Sequence, residues 1–141
     1  MTIQMILLPL FVEVTLTFVL WFWMAFARRQ VFVNRTVHPR DIALGQQNWP
    51  EKVAQVSNSF RNQFELPVLF YVLTILSIIT RHADVIFVVL AWVFVLSRIV
   101  HAYIHVTSNQ VMQRGAVYGI GAIVLIVMWI IFMIRILLGI G

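Results

Sequence analysis

Apolar residues fill this chain in four long runs, and polar residues punctuate it between them. An α-helix needs about 20 mostly apolar residues to cross a membrane, and each run is long enough. The runs are hydrophobic all round rather than along one stripe, which excludes a soluble bundle. Spanning helices are expected at about 3–27, 57–80, 85–106 and 115–138. The first stops at Arg28 and Arg29, and the second at Arg81 and His82. Asn48, Trp49 and Pro50 read as a cap, an interfacial aromatic and a first-turn proline ahead of the second span. The connection at residues 82–84 is so short that the second and third spans must form a tight antiparallel hairpin. The only long connection covers about 28–56. With no internal repeat and no low-complexity tract, the expectation is one all-α integral membrane domain over residues 1–141, a four-transmembrane-helix bundle.

Composition narrows the chemistry. The chain is 62% hydrophobic and 11% charged, outside the range of soluble domains. It contains no cysteine, so disulfides, thiolate metal sites and a protein-borne thiol nucleophile are excluded. Any thiol that reacts here must belong to a substrate. The net charge is +5, but the basic residues mark helix ends rather than a stripe, so no nucleic-acid partner is expected. The first apolar run is too long for a cleavable leader and lacks a basic start and a small-residue cleavage site. Arg28, Arg29, Arg35, Arg40, Lys52 and Arg61 flank or occupy the first connection, whereas the opposite side offers Arg81 and Arg135. Lys and Arg favour cytoplasmic loops. The first and third connections are therefore expected in the cytoplasm and both termini outside.

Depth gathers the remaining polar residues in one layer. Counted inward from Arg81 at 1.5 Å per residue, Glu65 lies about 24 Å from the outer boundary. Counted from Asp84, Arg98 lies about 21 Å along the third span. Both positions fall just inside the cytoplasmic edge of a hydrocarbon layer about 30 Å thick. Asn58, Asn62 and Glu65 are spaced to share one helix face, and so are Arg98, His101 and His105. Arg114 opens the fourth span at the same level. Ionisable side chains are expensive at this depth, and a converging set marks a site. Glu65 is expected to be buried and paired with Arg98, whose depth matches; the two either neutralise each other or also serve that site, and Asn62 either bonds between helices or binds a ligand. His101 and His105 have the i, i+4 spacing of metal ligands, but no third ligand of matching type accompanies them, so no metal is assigned. Glu13, near mid-membrane with Pro9 one turn before it, must face protein or protonate, and a packing or subunit-interface role is expected.

These residues carry a family resemblance. The stretch Arg61-Asn62-Gln63-Phe64-Glu65-Leu66-Pro67 resembles the second-helix signature of the MAPEG family, the membrane-associated proteins in eicosanoid and glutathione metabolism. Ser97-Arg98-Ile99-Val100-His101-Ala102-Tyr103 is similar to the third-helix segment of its bacterial members, and Arg114 followed by Tyr118 resembles the start of its fourth helix. The resemblance implies a homotrimer in a bacterial inner membrane, with a glutathione site between neighbouring protomers on the cytoplasmic side. It implies glutathione as co-substrate of a transferase or peroxidase acting on a lipophilic small molecule, with Arg114 as the catalytic residue that stabilises the thiolate. Asn62 and Glu65 are implied to bind the polar end of glutathione, Glu65 through its amine, and Asn58, Arg98, His101, His105 and Tyr118 to complete the substrate-binding pocket. Two departures stand out. Asn58 replaces the arginine that catalytic members carry one turn before the Asn, and His101 and His105 stand where tyrosines are common. Some members of the family bind lipids without catalysis. The alternative to an enzyme is therefore a non-catalytic lipid-binding or scaffold protein using the same cleft.

Overall fold

The computed structural model describes residues 1–45 and 48–141. Part of the long first connection therefore lies outside the described residues. The helices are α1 (Ile3–Val33), α2 (Glu51–Asn62), α3 (Leu66–Ile79), α4 (Val85–Val106) and α5 (Val111–Leu138), with a 3-10 turn at Pro39–Asp41. Four segments are long and apolar enough to cross a membrane: Ile3–Val33, Glu51–Ile79, Val85–Val106 and Val111–Leu138. These are the expected spans with shifted limits.

The first span runs past its two arginines. Arg28 lies over the Trp49 ring at 4.6 Å, and Trp49 meets Phe32 edge-on at 5.6 Å, so the connection folds back over the end of α1. Asn48 does not cap the second span. It donates to the Asp41 carbonyl at 2.6 Å, and Pro50 takes the cap position ahead of Glu51.

The second span is broken, where a single helix was expected. Its interruption at residues 63–65 follows from Pro67, which sits in the first turn of α3. Proline has no N–H to give to the Gln63 carbonyl, and its ring crowds the carbonyl four residues back. It also disfavours helical geometry at the residue before it. Asn62 thus ends α2, and Glu65 occupies the cap position of α3 with ψ −107°.

The hairpin between the second and third spans is as tight as expected. Arg81 takes a left-handed φ of 59°, and the Asp84 side chain caps α4 by accepting from the Phe87 N–H at 3.0 Å. Asp84 also pairs with Arg135 near the end of α5 at 2.9 Å. The His82 ring reaches the Ile140 carbonyl at 3.2 Å, which ties the chain end to the hairpin.

Helix α4 is central. In its most apolar stretch 44% of residues are buried, against 17% in α5 and 22% in α1, so the outer helices leave much apolar surface for lipid or a neighbour. One core joins Ile6, Phe70, Leu73, Phe94, Val95 and Leu125 from α1, α3, α4 and α5. A smaller one joins Leu20, Val56, Ala102 and Val106 at the opposite end of the bundle. Gly121 lets α5 close on α4, because a Cβ there would stand 2.7 Å from Ser97 Oγ.

Candidate functional site

The break in the second span generates the site. A helix that ends at Asn62 leaves carbonyls without intrahelical donors. The Asn62 carbonyl accepts from the Glu65 N–H at 3.2 Å, and Arg98 on α4 adds to this end, donating through Nη2 to the same carbonyl at 3.5 Å and to Asn62 Oδ1. A cation at a helix C-terminus is also favoured by the helix dipole. The other end of the same amide, Nδ2 of Asn62, donates to Glu65 Oε1 at 2.9 Å. Asn62 therefore bridges a guanidinium and a carboxylate. The expected direct pairing of a buried Glu65 with Arg98 is not what the structure shows: Glu65 is exposed, and Asn62 stands between the two. Pro67 turns the chain at this point and carries Glu65 out of the α2 register.

Helix α4 supplies the facing wall. Arg98, His101 and His105 share a face, and all are buried, at 1%, 3% and 8% exposure. The His101 ring lies 5.6 Å from the His105 ring and 5.6 Å from the Tyr118 ring of α5. The Arg98 guanidinium approaches the same tyrosine ring at 5.9 Å. Nδ1 of each histidine is buried without a hydrogen-bond partner. Among the described residues no group of three histidine, aspartate or glutamate side chains stands together as a metal ion would need.

The turn from α4 to α5 sets the third wall. Asn109 adopts a left-handed φ of 53°, and its side-chain oxygen accepts from Arg114 Nη1. Helix α5 starts at Val111, so Arg114 lies in its first turn rather than opening it. Lys52 donates to the Val106 carbonyl and ties the start of α2 to the end of α4.

These walls enclose an open polar cavity of about 630 Å³. Asn58, Asn62 and Glu65 line it from the broken span, His101 and His105 from α4, and Arg114 and Tyr118 from α5. Every residue expected at the site is on this wall except Arg98, which lies behind it and holds Asn62. Sequence reasoning missed Arg61, Val111 and Gly115, which also line it. Arg61 follows Asn58 by three positions, so the helical repeat places both on one face; its charge had been assigned to topology alone. With Arg61 and Arg114 against Glu65, the wall is net positive and carries one carboxylate. That combination suits an anionic ligand bearing an ammonium group. Apolar surface lies close by: a cleft of about 390 Å³ between α1 and the broken span is lined by Phe18, Trp21, Phe60, Phe64 and Tyr71.

The MAPEG family model matches residues 6–134 of the chain, which takes in the whole cavity and all but the outermost residues of the first and last spans. No curated protein and no solved structure matches the chain significantly.

Proposed function

Since the chain belongs to the MAPEG family and is an integral membrane protein, we propose that it binds glutathione in the polar cavity and transfers it to, or uses it to reduce, a lipophilic electrophile held at the membrane. The observation that carries this reading is the convergence of Asn58, Asn62, Glu65, His101, His105, Arg114 and Tyr118 on one net-positive cavity. Glutathione has a carboxylate at each end, one ammonium group and a thiol. Arg61 and Arg114 suit its carboxylates, and Glu65 suits its amine. The protein has no cysteine, so the nucleophile is the bound thiolate. A guanidinium beside a thiol lowers its pKa. Arg114 is in the first turn of α5, where the positive end of the helix dipole adds to the same field. The thiol proton leaves to water; in a transfer the thiolate sulfur bonds to the electrophilic carbon as the leaving group departs with its electron pair, and in a peroxide reduction the sulfur takes the outer oxygen as the O–O bond breaks, the alkoxide takes a proton from water, and a second glutathione converts the sulfenic acid to glutathione disulfide and water. The proposal includes a homotrimer in a bacterial inner membrane, the cavity on the cytoplasmic side and both termini outside, as the distribution of Arg and Lys supports.

The test is glutathione binding to detergent-purified protein by calorimetry, with the ultraviolet thiolate absorbance of the bound ligand. Arg114→Ala should abolish the thiolate signal and slow conjugation of a test electrophile by about a hundredfold, the typical effect of losing one preorganised charge-stabilising donor. Wild-type protein with neither heat nor thiolate signal at millimolar glutathione would sink the enzyme reading. A second reading then leads, a non-catalytic lipid-binding protein. It is supported by Asn58, which lines the cavity where catalytic members carry an arginine.

A further inference from the structure

Glu13 has no place in the cavity, yet it is the strongest anomaly in the bundle. It lies in α1 at 0% exposure, and both of its carboxylate oxygens lack a hydrogen-bond partner. Arg98 is its counterpart. At 1% exposure it spends Nη2 on Asn62, while Nε and Nη1 lack partners. Two free acceptors thus answer two free donors, both enclosed within a single protomer.

The two sit at one level of the bundle: Glu13 lies on α1 midway between Ile6, which shares a core with Phe94 and Val95, and Leu20, which shares the other core with Ala102, and Arg98 lies on α4 between those same partners. The two groups do not close a direct ion pair; among the described residues that contact is made by Arg135 and Asp84. A lone ion in the apolar interior is strongly disfavoured. An ionised Glu13 and Arg98 offset that cost for each other, across an internal water of the kind buried polar groups share.

This arrangement has a consequence for the cavity. Besides Glu13 at its level on α1, Arg98 is linked through Asn62 to a second carboxylate, Glu65. Without Glu13, Glu65 would be the remaining partner. Glu65 is exposed, and the bond from Asn62 holds its carboxylate in place; an Arg98 without its α1 counter-ion would compete for that carboxylate and draw it inward. It would then leave the cavity wall and pair with Arg98. We propose that Glu13 is a positioning residue: as buried counter-ion of Arg98 it keeps Glu65 at the cavity, available to the ammonium group of a ligand. Helix α1 would thus govern ligand choice in a cavity that it does not line. The ligand part of this inference rests on the glutathione reading; the Glu65 movement does not.

The experiment compares wild type, Glu13→Gln, Glu13→Asp and Glu13→Gln/Arg98→Met in detergent. Two signals are read. The first is the side-chain amide resonance of Asn62, identified by its loss in Asn62→Ser. The second is calorimetric binding of glutathione and of N-acetylglutathione, which lacks the ammonium group. Glu13→Gln should shift the Asn62 amide, because Nδ2 loses its acceptor when Glu65 turns to Arg98. It should weaken glutathione binding about tenfold, within the usual range of coupling between sites, and remove the preference over the acetylated form. Glu13→Asp should recover most of both signals. The double variant should bind glutathione more tightly than Glu13→Gln, since no guanidinium remains to recruit Glu65. An unmoved Asn62 resonance in Glu13→Gln overturns the proposal, and so does a double variant no better than the single one. Where Glu13→Gln fails to fold, Glu13→Asp decides: a shift of the Asn62 amide from its wild-type position supports the proposal, and no shift overturns it. Wild type that binds no glutathione overturns the glutathione reading, and the Asn62 resonance alone then tests the role of Glu13.

Discussion

Asn62 carries more of the site than either charge beside it. Its carbonyl and side-chain oxygens take Arg98, and its amide nitrogen holds Glu65. Asn62→Ala removes the side-chain half of both links and leaves a buried guanidinium with one long contact. Leaving a buried polar group unsatisfied typically costs about 1–3 kcal/mol, more when it is charged. The thermal midpoint in detergent should therefore fall clearly, and a midpoint equal to wild type would show that Arg98 finds another partner unaided. The residue scale also shows what counting along a sequence can and cannot give. Helical rise is fixed, so depth put Glu65 and Arg98 in one layer, and there they are. Pairing depends on azimuth as well, and azimuth was lost at Pro67. The role of Asn62 as bridge was therefore not legible, although its identity and depth were.

Among the elements, the broken second span is the one that matters most to the cavity. Four apolar runs made four spans legible, because length and hydropathy alone decide what crosses a bilayer. The break was not legible, since proline is tolerated in the first turn of a helix and in kinked membrane helices alike. Helix limits slipped for a related reason. Arg28 and Arg29 lie within α1 and Arg114 within the first turn of α5, because a charged side chain ends the hydrocarbon layer without ending the helix. Pro67→Ala supplies the missing N–H and relieves the clash. The second span should then become continuous, with the Asn62 carbonyl claimed by the Leu66 N–H instead of the Glu65 N–H and Arg98. Amide hydrogen exchange at residues 64–66 should slow, and ligand binding in the cavity should weaken as Glu65 rotates back into the α2 register. Unchanged exchange at those amides would mean that the contacts of Arg98, rather than Pro67, hold the break open.

At the scale of the whole molecule, the buried polar groups and the exposed apolar surface argue for one proposed assembly. Glu65 is exposed at a depth where lipid would surround it, and its neighbours Phe64, Val68 and Leu69 are exposed as well. A carboxylate facing hydrocarbon is costly, so this surface needs a polar neighbour or a water-filled cleft. A second copy of the chain supplies either. The same side offers an apolar groove of about 270 Å³ between α3 and α5, lined by Leu69, Leu125, Ile126, Trp129 and Ile130. Ile126 is 56% exposed there, and Trp129 Nε1 is buried without a partner. A neighbour packing its apolar side chains into this groove would close the cavity beside it, which is what a shared site in a homotrimer requires. Crosslinked species in mild detergent should stop at three protomers. Ile126→Arg should dissociate them, since a buried unpaired cation at an interface is strongly disfavoured, and should weaken glutathione binding with the same concentration dependence. A trimer that survives Ile126→Arg would place the groove against lipid, and a stable monomer of wild type that still binds glutathione would confine the site to one protomer.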